Sequence, residues 1–177
     1  MISYITPKDV SDMMHAVATT PPDDTSYITD QMMKEQPALV EYLFRLDDLP
    51  FDLEETIEFS ESERDYIFYI CIVVWKILSQ STRPTPTVTW SDIFSVIDDY
   101  EYNFVRLIKE GSGKVAGAAL QMIEEHPEPE LLRFITDAMR PRADDPNFPP
   151  IRPEYHAIAT MVFQIVLTAM LSNGKHN

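Results

Sequence analysis

Four histidines, at positions 15, 126, 156 and 176, and the single cysteine Cys71 are the residues of this chain best suited to metal or nucleophilic chemistry. Asp12 and His15 stand at i, i+3 on one helix face, a spacing that supports a metal ligand pair. A helical di-metal centre needs that pair twice, with two further carboxylates from facing helices, and no second pair is present. Cys71 sits between Ile70 and Ile72 in the most apolar stretch of the chain, where desolvation raises a thiol pKa and disfavours the nucleophilic thiolate. His126 precedes Pro127 in a turn and His156 falls in the first turn of a helix, so both read as hydrogen-bonded surface groups.

Two loops carry partial ligand-binding patterns. Gly111-Ser112-Gly113-Lys114 resembles the end of a phosphate loop, but the motif needs Gly where Ile108 stands and Ser or Thr where Val115 stands. A helix C-terminus and linker is the better reading. The acidic stretch from Asp47 to Asp65 holds nine acids and one base, Arg64. A calcium loop starting at Asp48 would place Pro50, Leu53 and Phe59 at its third, sixth and twelfth positions, where an acid, a Gly and a Glu are needed. With no catalytic, metal or nucleotide pattern complete, the sequence predicts no cofactor and no enzymatic role.

What the acids suit is a protein surface. Net charge is −15, from 29 acids against 14 Lys and Arg, which opposes direct binding to nucleic acid or an anionic membrane because phosphate contacts need basic patches. The tentative interaction residues are Asp47, Asp48, Asp52, Glu54, Glu55 and Glu58. Leu49, Phe51, Leu53 and Ile57 are interleaved with them, which a purely solvating run does not require. The reading is a non-enzymatic interaction or regulatory protein with an acidic surface that docks a protein partner, a basic one by charge complementarity. The alternatives are an acidic mimic of nucleic acid that inhibits a DNA- or RNA-binding protein, and an enzyme using scattered Asp, Glu and Tyr residues. A lone cysteine and an N-terminus without signal-peptide character favour the cytoplasm.

The elements that must position these residues are helices. Only four Gly stand in the chain, while the 14 Pro cluster between apolar runs, so Pro acts as helix punctuation. Thr6-Pro7 with Asp9 opens a first helix. A second is expected from about Ser26 to Gln36, and Pro37 opens a third. Ser60 to Glu63 is a capping box before a long apolar helix reaching about Gln80. Trp90, Ile93, Phe94 and Ile97 stand on the apolar, core-facing side of a fifth helix, with Asp92, Asp98, Asp99 and Glu101 off it, and residues 114–125 form a sixth and 129–139 a seventh. Pro153 starts the last, to about Ser172. The fold class is therefore all-α, with about eight helices in one domain over residues 1–177. The two longest apolar windows, 66–78 and 157–171, are shorter than the roughly 20 residues that span a bilayer, so they read as core helices.

A further pattern joins these elements. Residues 36–80 read against 128–172 at an ungapped offset, with Gln36-Pro37 on Glu128-Pro129, Ile70 on Val162 and Val74 on Val166. This predicts an internal duplication of a helix-loop-helix unit, with halves of about 1–83 and 87–177 and the two long helices in contact at the centre.

Overall fold

In the computed structural model, the residues described are 5–46, 58–80, 85–110, 115–140 and 151–172. They form eight α-helices and no strand: α1 Pro7–Ala18, α2 Pro22–Glu35, α3 Pro37–Phe44, α4 Glu61–Ser79, α5 Trp90–Glu110, α6 Val115–Glu124, α7 Pro129–Ala138 and α8 His156–Ser172. The all-α class and the helix number agree with the sequence expectation. The possible phosphate-loop residues 111–114 and the Pro-rich stretch 141–150 lie outside the described residues.

Local chemistry sets most helix starts. Thr6 accepts from the Asp9 N–H and Asp9 caps back onto the Thr6 N–H, closing a capping box ahead of Pro7. Thr89 and Asp92 make the same reciprocal pair before α5, and Ser60 and Glu63 make it before α4. α2 begins at Pro22 rather than near Ser26. The Pro21-Pro22 pair both stops α1 and opens α2, since Pro at the first helical position has no N–H to lose. The last helix begins as a 3-10 turn, Pro153–Tyr155, that runs directly into α8.

α4 and α8 are apolar on nearly all sides because other helices cover them. α4 packs on α1, α2, α3 and α8, while α8 packs on α4, α5 and α7. Ile70, Cys71, Val73, Val74 and Trp75 of α4 are buried, as are Ala159, Val162, Phe163, Ile165 and Val166 of α8. Taken with its 3-10 turn, the run Pro153–Ser172 is 20 residues long and apolar enough, by length and composition, to cross a membrane. The shorter window read from the sequence missed this length, because Pro153 to His156 add a helical turn of polar residues. Half of the hydrophobic stretch is buried within the fold, as expected of a core helix.

α5 departs from the expected apolar face. Ile93, Val96 and Ile97 point into the core, but Phe94 is 51% exposed and stacks on Trp90 with ring centroids 5.6 Å apart. Phe94 lies about 100° around the helix from Ile93, and no neighbouring helix covers that side. Tyr42 meets Trp90 edge-on at 6.5 Å, while the Tyr42 hydroxyl and the Trp75 indole N–H are buried without a hydrogen-bond partner among the described residues.

Two buried polar side chains occupy corresponding places. Gln36, just before α3, accepts from the Val88 N–H at 2.9 Å and donates to the Pro86 carbonyl at 3.0 Å. Glu128, just before α7, accepts from the Ile5 N–H at 3.3 Å. Both residues have similar backbone angles, φ −132°, ψ 54° and φ −125°, ψ 65°. Each therefore ties the start of one short helix to the strand-like lead-in of a distant capped helix, α5 or α1. Burial raises the Glu128 pKa, and the single Ile5 N–H only partly opposes it. A group with a raised folded-state pKa loses stabilisation as pH climbs above its unfolded value. Glu128→Gln, which installs the residue found at the other site, is expected to raise Tm at pH 7. The gain should shrink towards pH 4, where the carboxyl is protonated in both states. A lower Tm at pH 7 than at pH 4 relative to wild type would contradict this assignment.

Candidate functional site

Of the acidic residues singled out from the sequence, Asp47, Asp48, Asp52, Glu54 and Glu55 lie outside the described residues. Glu58 is exposed, and its carbonyl accepts from Arg152 Nη2 at 2.7 Å. Glu61 and Asp65 are exposed as well, but Glu63 is only 2% exposed. The acidic run is thus not one solvated face. Glu63 caps α4 through the Ser60 N–H at 2.7 Å and accepts from the Arg152 N–H at 2.8 Å. The Arg152 guanidinium adds a forked pair, Nε and Nη2 each at 2.9 Å, and lies 4.4 Å over the Tyr155 ring. Burial by itself would raise the Glu63 pKa. The Arg152 and Ser60 donors outweigh it and hold the carboxyl down at about 2. This junction is structural: it fastens the starts of α4 and of the last helix to each other.

The histidine and cysteine readings resolve as follows. Cys71 is fully enclosed and burial pushes its thiol well up, which keeps it protonated. Asp12 pairs with Lys8 on α1. Among the described residues no three His, Cys, Asp or Glu side chains converge as a metal site. His156 bonds the Ile151 carbonyl at 2.8 Å. His126 departs from a plain surface role, because it lies against α8.

His126 borders a cleft of about 220 Å³ between α5, the α6–α7 corner and α8. Val96, Met122 and Pro127 supply apolar wall, and Asp99, Asn103, Glu125, Gln164 and Thr168 supply polar groups. The hydrogen bonds around His126 fix its protonation. Nδ1 accepts from the Glu128 N–H at 3.0 Å, so the ring proton belongs on Nε2, which is 2.9 Å from Thr168 Oγ1. Burial lowers the His126 pKa to about 4. The imidazole is therefore neutral near pH 7 and donates to Thr168.

That order bears on chemistry. A hydroxyl nucleophile needs a base that accepts its proton, whereas here the imidazole gives a hydrogen bond to the hydroxyl. Thr168 is left with its own hydrogen to offer the cleft. Gln164, 4% exposed on α8, makes no side-chain hydrogen bond among the described residues. The half-buried Tyr100 closes one side, and burial pushes its phenol up to about 12. Glu125 accepts from Gln121 at 2.7 Å and lies 4.0 Å from Arg106. The arrangement suits holding a small polar molecule.

Sequence reasoning did not single out this cleft. Its one legible signal was Gln164 and Thr168 four residues apart in an apolar helix, which places both on one face. Comparison with protein-family models, with curated proteins and with solved structures found no match for this chain.

Proposed function

We propose that this chain is a non-enzymatic interaction or regulatory protein whose acidic surface docks a basic protein partner. The observation that carries the reading is the outer side of α5. Tyr102 is 71% exposed and Phe94 51% exposed, with Asp98, Asp99 and Glu101 exposed between and beside them. Aromatic anchors set among charges of one sign are the usual make-up of a docking site, with the rings giving affinity and the charges steering and orienting the partner. The donor role of His126 towards Thr168 supports binding over hydroxyl catalysis in the neighbouring cleft.

The segment 47–59 supplies further negative charge to the same reading. Neutralising Asp52, Glu54, Glu55 and Glu58 together is expected to weaken capture of a basic partner and to flatten its salt dependence, with Tm nearly unchanged. Phe94→Ser with Tyr102→Ser should weaken capture at every salt concentration. Unaltered partner recovery in both variants, at low and at high salt, would remove this function.

We further read the chain as two equivalent units packed face to face. Supporting this are the Thr-x-x-Asp boxes before α1 and α5, the Pro starts of α3 and α7, and the buried Gln36 and Glu128 ahead of them. The reciprocal packing of α1 on α4 and α7, and of α5 on α8 and α3, also supports it. On this reading the acidic loop and the polar cleft are features that each unit acquired separately.

A further inference from the structure

The cleft beside His126 has unspent hydrogen-bonding capacity on its floor and an exposed carboxylate, Asp99, at its rim. On the floor, Gln164 as a whole residue is 4% exposed and its amide makes no hydrogen bond among the described residues, while Thr168 keeps a hydrogen to donate. An amide that lines a cleft without a protein partner can bond a ligand in place of water. At the rim Asp99 is exposed and forms no ion pair among the described residues. Glu125, also of the lining, is paired with Arg106 at 4.0 Å. Among the described residues no Lys or Arg lines the cleft, and the neutral His126 adds no positive charge.

The two ends ask for different chemistry. A carboxamide or peptide carbonyl satisfies Gln164, since each amide offers one donor and one acceptor, and it also accepts from Thr168. An ammonium satisfies Asp99 and meets the Tyr100 ring as a cation meets an aromatic face. A volume of about 220 Å³ lies below the roughly 300–1,000 Å³ of pockets for drug-sized ligands, so the occupant is about the size of one amino-acid residue. We propose that this cleft binds a primary ammonium joined to an amide carbonyl, the chemistry shared by a free polypeptide N-terminus and by a small amino-acid amide. This goes beyond the docking function; Asp99 belongs to both surfaces, so Gln164→Met, which leaves the outer side of α5 unaltered, and the quadruple acid variant, which leaves the cleft unaltered, tell the two failures apart.

The test uses the full chain, labelled for amide NMR, titrated with L-alaninamide and with N-acetyl-L-alaninamide, which lacks the charge. Saturable shifts confined to residues 96–103, 122–127 and 164–168 are expected for the first probe and none for the second. Asp99→Asn, at the exposed rim, should weaken alaninamide binding about tenfold, the loss expected for one charge-assisted hydrogen bond. Gln164→Met, of the same length, should weaken it comparably while holding or raising Tm. Should Gln164→Met fail to fold, Asp99→Asn still decides. A short peptide with a free N-terminus separates the sources: tighter binding than alaninamide assigns a polypeptide terminus, and equal binding assigns a small molecule. Equal response to both probes, no response to either, or affinity unchanged in Asp99→Asn overturns the proposal.

Discussion

Val74→Asp is expected to yield no cooperatively folded protein. Val74 is 3% exposed at the centre of α4, among side chains that are themselves buried and apolar. An aspartate there would lie without a cation or an N–H donor, since the α4 backbone donors are spent within the helix. Burying such a charge costs several kcal/mol or more, against a total stability of about 5–15 kcal/mol for a domain. Val166→Asp on α8, at 1% exposure, is expected to do the same, because α4 and α8 pack on each other. Circular dichroism at 222 nm and a thermal melt provide the check. A soluble Val74→Asp protein with a sharp melt would contradict the central placing of α4.

The second large effect belongs to Glu63. Its folded-state carboxyl is held at about 2, against an ordinary value of 4.5. A depressed pKa means that the stabilisation is complete above the unfolded value and is lost as pH falls through the folded one. About 3 kcal/mol is therefore expected to disappear between roughly pH 4.5 and pH 2. Glu63→Gln keeps the shape but not the charge, so its stability deficit should be full at pH 7 and close towards pH 2. Arg152→Ala should raise the midpoint of acid unfolding, because it leaves Glu63 buried with only backbone donors. Denaturant melts across this pH range read both effects, and a deficit of Glu63→Gln that is independent of pH would contradict the assignment.

How much of this was legible from the residues depends on the range of the interaction concerned. The starts of α1, α3, α4 and α5 were readable because each depends on residues within three or four positions, such as Thr6 with Asp9 or Ser60 with Glu63. The start of α2 was misjudged because Pro21-Pro22 serves as both a stop and a start. Phe94 was misassigned to the core because helical periodicity fixes an angle around the axis. It does not say how wide an arc the neighbours cover, and here they cover Ile93, Val96 and Ile97 but stop short of Phe94.

The sequence by itself determined the fold class, the helix order and the two apolar helices at the centre, since capping, Pro placement and 3.6-residue periodicity are local and additive. It also set the acidic surplus, which is a property of composition alone. Only the tertiary structure decided which acid is buried and which polar groups meet. Glu63 and Arg152 are separated by 88 intervening residues, and Ile5 and Glu128 by still more. His126 becomes a neutral donor only because Glu128 and Thr168 reach its two nitrogens from different elements. Protonation, burial and the joining of Gln164 to Asp99 across one cleft depend on how helices pack, and packing is set by the whole set of apolar faces at once.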